Sequence, residues 1–175
     1  VARALSIVGE RWTLLIIRDA FKGTRLFEGF HKNLGVTRHR LTERLNSLVE
    51  SGVMSKVPYS RNPERFEYRL TRKGLGLYPI LMSLSNWGDQ WLADENGSPM
   101  TYWHSRCAKD CEPIMACSEC GEALKPEEVS ARLGTELTYY VAHLKDHGLP
   151  IPSDAELPKR AGEYRKTRTR QERSL

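Results

Sequence analysis

Five potential metal ligands, His104, Cys107, Cys111, Cys117 and Cys120, lie within one short stretch of the chain. Cys117-Ser118-Glu119-Cys120-Gly121 has the form of a metal knuckle: thiolates separated by two residues reach one ion from a tight turn, and the glycine supplies the backbone geometry that the turn needs. The other half is open. His104 with Cys107 gives three cysteines and one histidine with nine residues between the halves, whereas Cys107 with Cys111 gives four cysteines with five between. Nine leaves room for a hairpin; five is cramped. The expectation is a structural zinc on Cys107, Cys117 and Cys120, with Cys111 or His104 as fourth ligand, and four protein ligands leave no open position for hydrolysis. A reversible Cys107–Cys111 disulfide would instead make a redox switch. A thioredoxin-like role for Cys117 and Cys120 lacks the surrounding βαβ pattern.

A second chemistry, recognition of a polyanion, lies between Gly35 and Thr71. Leu41, Leu45, Leu48 and Val49 recur at helical spacing and fix one buried stripe, which leaves His39, Thr42, Glu43, Asn46 and Ser47 opposite. Gly52 ends that helix. Residues 53–59 then alternate at period two, Ser60-Arg61-Asn62-Pro63-Glu64 turns the chain, and residues 65–70 return as a second strand. A helix fits the major groove, and side chains near its start meet base edges. Here Thr37 starts the helix and Arg38, His39, Thr42 and Glu43 follow. Arg25 and Lys32 on the preceding segment, with Arg61 and Arg65 on the ribbon, are placed for phosphates. Arg40 leans toward its own helix flank.

These side chains need a scaffold. Residues 4–8 form a short helical segment, residues 12–21 a core helix carrying Leu14, Leu15, Ile16 and Ile17, and Thr24 is expected to cap a helix whose Phe27, Phe30 and Leu34 share a face. Gly35 separates that helix from the next, which is the helix-turn-helix arrangement. Beyond the ribbon, Thr71 is expected to cap a long amphipathic helix with Leu75, Tyr78, Leu81, Leu84, Trp87, Trp91 and Leu92. The two tryptophans, one turn apart, either close the domain's own core or face a partner chain. Asn96-Gly97-Ser98-Pro99 marks a boundary. Pro126 is expected to open a helix ending at His147-Gly148, and a Pro-containing basic tail follows, mobile or ordered only against a partner. The resulting division is a winged helix-turn-helix and dimerisation domain at 1–95, a zinc module at 99–125, a C-terminal helix at 126–148 and the tail at 149–175. The fold class is mostly α with a small β-ribbon.

The chain has 175 residues and a formal net charge of +5. That total conceals three segments of +8 (1–73), −8 (74–158) and +5 (159–175). A positive field over one compact segment concentrates a polyanion there, while an acidic one is repelled. No apolar run is long enough to cross a membrane, and the N-terminus lacks a signal-peptide core and reads as a chain whose first residues are missing, so the expected location is the cytoplasm. No nucleophile has an evident base and orienter, and no Gly-rich phosphate loop occurs. An enzyme is therefore not expected.

Five motifs in order, Val8-Gly9-Glu10-Arg11-Trp12-Thr13-Leu14-Leu15-Ile16-Ile17-Arg18, Phe27-x-x-Phe30-x-x-x-Leu34, Leu41-Thr42-x-Arg44-Leu45, Glu67-Tyr68-Arg69-Leu70-Thr71-x-x-Gly74 and Trp87, resemble the HxlR-type winged-helix transcription regulators over about residues 2–95. The resemblance implies a MarR-like fold and a homodimer that binds double-stranded DNA, its protomers joined through the N-terminal and post-wing helices. Ala4, Leu5, Leu84, Trp87 and Trp91 are the interface residues so implied. Related regulators with this extension carry His-x-x-Cys and then Cys-x-x-Cys-Gly, which leans toward His104. The functional expectation is a regulator on a palindromic operator, repression its favoured sense, with scope for a small-molecule effector. The alternative is a protein-interaction module on the same scaffold.

Overall fold

The carboxylate of Glu10 accepts from the backbone N–H groups of Trp12 (2.9 Å) and Thr13 (3.2 Å), two donors that the start of a helix leaves without partners. Helix α2 (Arg11–Phe21) begins there, behind the short α1 (Ala2–Val8). Its Ile16 and Ile17 are fully buried, as expected of a core helix. The computed structural model describes residues 1–95, 97–98, 100–153 and 156–172. It forms two compact units, Val1–Met115 and Ala116–Leu175.

Thr24 does not cap the next helix. Helix α3 (Phe27–Leu34) starts behind Leu26, with no side-chain cap. Leu26 is instead drawn into a bridge with Glu67, and the Arg25 carbonyl accepts from the Tyr68 N–H at 2.8 Å, so the chain enters α3 as a strand on the wing. Thr24 Oγ1 accepts from the Asn33 amide at 3.3 Å. Gly35, at φ 61°, turns the backbone left-handed, which a glycine does without steric cost. Thr37 then caps α4 (Arg38–Glu50), its hydroxyl accepting from the Arg40 N–H at 3.4 Å. Leu41, Leu45 and Leu48 bury against Phe30, Val36, Val53, Met54 and Tyr68 in one core. This is the expected stripe.

Strands β1 (Met54–Arg61) and β2 (Glu64–Leu70) pair antiparallel, from Met54 opposite Leu70 to Arg61 opposite Glu64. The register slips between Pro58 and Ser60, leaving Tyr59 as an extra residue; a proline without an N–H sits comfortably at such a bulge. The inner end is buried at Met54 and Tyr68, and the tip is exposed. Two helices, a tight turn and a ribbon packed on one core make a winged helix-turn-helix.

Thr71 caps only α5 (Arg72–Leu75), accepting from the Gly74 N–H at 3.2 Å, and the long helix α6 (Tyr78–Leu92) starts separately. The break has a covalent cause: Pro79 lacks the N–H with which a continuous helix would bond residue 75. No residue of α6 is buried. The unit also takes in a hairpin beyond residue 95, β3 (Tyr102–His104) and β4 (Lys109–Cys111), joined to α6 by the Tyr102 hydroxyl donating to Ser85 Oγ at 2.7 Å.

In the second unit Pro126 opens one 3-10 turn (Pro126–Glu128), not a helix. The backbone is extended at Val129, and regular helix α7 (Thr135–Asp146) begins only after Gly134. Within the tail, expected to be mobile or ordered only against a partner, residues 157–172 are helical. Helix α8 (Leu157–Glu172) packs on α7 because Leu157 and Ala161, one turn apart, meet Tyr140 and Leu144. Asn96 and Pro99 of the expected boundary, and residues 154, 155 and 173–175 of the expected tail, lie outside the described residues. Among the described residues no helix is long and apolar enough to cross a membrane.

Candidate nucleic-acid interface

With its apolar stripe buried, α4 turns His39, Thr42, Glu43 and Asn46 outward. The His39 side chain is 83% exposed, with Nδ1 3.5 Å from Glu43 Oε2 one turn on. The Thr42 hydroxyl donates to the Arg38 carbonyl at 2.8 Å, which leaves its methyl for apolar contact. The Thr37 hydroxyl accepts the cap bond and keeps its own O–H to donate. Arg38 is already engaged: its two terminal nitrogens donate to the two Glu28 oxygens at 2.8 Å each, and its guanidinium carbon lies 5.6 Å from the centre of the Phe27 ring. That hydrogen bond, ahead of the charge attraction, holds the Glu28 carboxyl below its usual range and raises Arg38.

The other candidates flank this helix. Lys32 is exposed on α3, and Arg25 is exposed beside the base of the wing, its carbonyl bonded to Tyr68. Arg61 stands opposite Glu64 and Arg65 opposite Ser60 at the ribbon tip, all but Ser60 exposed. Sequence reasoning missed three groups. Glu28 lies ten residues from Arg38, a spacing with no helical signature, so only the fold reveals the pair. Lys56 Nζ sits 4.3 Å from the Phe66 ring centre across the wing, a diagonal that register alone could have suggested. Lys73 Nζ donates to the Ser51 carbonyl at 2.7 Å, tying α5 to the end of α4.

On α6, Leu84, Trp87 and Trp91 follow one another at spacings of three and four, a single face, and the tryptophans are 53% and 66% exposed. Leu81 turns inward toward the core. Ala4 and Leu5 are exposed on α1.

The cysteines form two local arrangements. In the first unit His104 Nδ1 lies 3.2 Å from Cys107 Sγ, within the turn between β3 and β4. Cys111 stands opposite Tyr102, at the far end of that ladder from His104. In the second unit the Cys117 N–H donates to the Glu122 carbonyl at 2.8 Å, the Gly121 N–H donates to the Cys117 carbonyl at 2.9 Å, and Gly121 has φ 77°. Backbone N–H groups of Cys120 and Glu119 point at the Cys117 sulfur and lower its pKa, which suits a thiolate ligand. All four cysteines are free thiols. Among the described residues no three His, Cys, Asp or Glu side chains converge on one point.

Residues 7–96 match the family described as HxlR-like helix-turn-helix. An uncharacterized HTH-type transcriptional regulator of Mycobacterium tuberculosis strain H37Rv is 45% identical over 134 residues, which is 77% of this chain and 85% of its own. Another, from Synechocystis strain PCC 6803, is 30% identical over 97 residues, 55% of this chain and 72% of its own. Among solved structures, the candidate transcription factor PA1607 superposes with a TM-score of 0.69 at 33% identity, across 76% of this chain and 93% of its own. A second candidate transcription factor, PA1374 from Pseudomonas aeruginosa, superposes at 0.58 with 34% identity, across 77% and 91%. The matched span contains both helices of the turn, the wing and the long helix behind it, and the chain belongs to the HxlR-like helix-turn-helix family.

Proposed function

We propose that the protein is a DNA-binding transcription regulator that acts as a homodimer on a palindromic operator, repression being its favoured effect. The observation that carries the reading is α4 itself: its polar face, with His39, Thr42, Glu43 and Asn46, is exposed beside a wing tipped by Arg61 and Arg65, within a segment of net charge +8. Base-edge contacts fall to Arg38, His39, Glu43 and the Thr42 methyl, with Thr37 at the start of the same helix, and phosphate contacts to Arg25, Lys32, Arg61 and Arg65. The second copy is supported by the unburied apolar face of α6, because solvated indoles at two consecutive turns are costly for a lone chain. A cavity of about 350 Å³ between α2 and α6, with Leu14, Phe21, Tyr78, Leu81 and Tyr102 in its wall, suits a small-molecule effector.

Zinc is part of the proposal. Cys107, Cys117 and Cys120 would hold it, with His104 or Cys111 as the fourth ligand, and the spacing along the chain is what supports the set. A closed set of four such ligands would supply folding energy to the C-terminal half and no hydrolytic chemistry.

The test is binding to genomic duplex fragments across a salt series. The expected outcome is a two-fold symmetric footprint whose affinity falls steeply with salt. Arg65→Glu should weaken every duplex alike, while His39→Ala or Glu43→Ala should change the ranking of duplexes. Unchanged affinity and ranking in all three variants would refute the assignment.

A further inference from the structure

The two terminal nitrogens of the Arg38 guanidinium form a flat fork, and that fork grips a carboxylate, a phosphate or the O6/N7 edge of guanine in much the same geometry. Glu28 already fills it, with both oxygens at 2.8 Å from the two nitrogens, while the Phe27 ring backs the group. The arrangement spans the turn between α3 and α4. It places an anion on the first residue of the helix that faces the DNA in the proposed function.

We propose that Glu28 is an internal competitor for DNA, occupying the terminal donor fork of Arg38 so that this fork contributes to binding only by exchanging the carboxylate for an anion of the duplex. The proposal rests on the DNA-binding reading above. Exchange is feasible because both side chains are exposed, 62% for Arg38 and 67% for Glu28, and an ion pair in water is weak and screened by salt. The hydrogen bond from Arg38 also holds the Glu28 carboxyl below the ordinary carboxylate range, which keeps the pair ionised further into acid. His39, by contrast, approaches Glu43, on α4 itself. Glu28 therefore sets the affinity of the reading head without touching DNA.

The prediction is a thermodynamic coupling. Four full-length proteins, the wild type, Glu28→Gln, Arg38→Gln and the double variant, would be titrated with a duplex recovered from genomic fragments by the wild type. With Arg38 present, Glu28→Gln should tighten binding about tenfold; in the Arg38→Gln background the same change should tighten it only about twofold, the remainder being simple charge removal. Equal gains in both backgrounds would reduce Glu28 to a repelling charge and overturn the proposal. A loss of affinity in Glu28→Gln would overturn it too, by making the carboxylate a prop for Arg38. Thermal melting should be the same for all four proteins, as both residues lie on the surface. Absence of salt-sensitive binding by the wild type on any duplex would remove the DNA-binding reading, and this proposal with it.

Discussion

A methyl group on Gly74 would overlap the carbonyl oxygen of Val53 and stand 3.0 Å from Leu70 Cδ2. The bare α-carbon is what lets α5 lie against Val53, the residue that leads into β1, closing the wing onto the helix pair. Gly74→Ala should destabilise the protein by about 2 kcal/mol through forced backbone movement, seen as a lower urea midpoint at unchanged slope. Gly162→Ala on α8, where nothing lies within 4 Å, should be neutral or stabilising by up to about 1 kcal/mol. Equal effects at the two positions would contradict the packing argument.

The exposed indoles test the second copy. Trp91→Glu should convert a dimer to a monomer at micromolar protein concentration, since truncating a central interface tryptophan costs about 2 kcal/mol or more and a charge adds its own desolvation cost. Sedimentation velocity reads this directly. A wild type that sediments as a monomer, or a variant that still sediments as the dimer, would place the interface elsewhere.

Tyr68 makes the alkaline limit of stability measurable. Burial pushes its phenol up, so the folded state keeps a proton that the unfolded state releases near pH 10. Stability is then intact below the unfolded value and declines as pH rises through it toward the higher folded value. Tyr68→Phe should flatten that decline in urea melts between about pH 9 and 11. Parallel decline in both proteins would assign it to other groups.

For the zinc proposed above, we favour His104 over Cys111 as fourth ligand. His104 lies 3.2 Å from Cys107 Sγ, whereas Cys111 is at the opposite end of the hairpin ladder. Purified protein should carry about one zinc per chain, retain it in Cys111→Ser and lose it in His104→Ala and Cys120→Ser. Zinc lost from Cys111→Ser but kept in His104→Ala would reverse the ranking. Metal-free wild type with four titratable thiols would end the zinc reading.

The parts of the fold legible in the sequence are those whose cause is local. The stripe Leu41, Leu45 and Leu48, the cap at Thr37, the reversal at Gly35 and the ribbon up to Leu70 all follow from periodicity and turn chemistry, and each is in place. Where a distant contact decides, the reading strays. Thr24 lost its cap because Leu26 is claimed by Glu67 on the wing. Pro79 was a visible stop, yet the apolar spacing running through Leu75 and Tyr78 masked it. Pro126 has the residue type that opens helices, but the acidic turn behind it extends at Val129 and ends as a single 3-10 turn. In the tail the prolines and basic residues hid the spacing of Leu157 and Ala161, which α7 uses. The candidate interface shows the same divide, with the exposed face of α4 readable from its period and the Glu28–Arg38 clamp invisible to it.

The hydroxyl of Thr71 sits 2.7 Å from the Gly52 carbonyl and 3.1 Å from that of Val53 while accepting from Gly74, and Lys73 reaches back to Ser51. The end of α4 and both roots of the ribbon are thereby riveted at one point. In the proposed function the helix and the wing act as the two jaws of a caliper, held together at that point. Duplexes that present groove and backbone at a different separation must then deform to fit, so the stiffness of the DNA between those two contacts becomes part of what this protein measures.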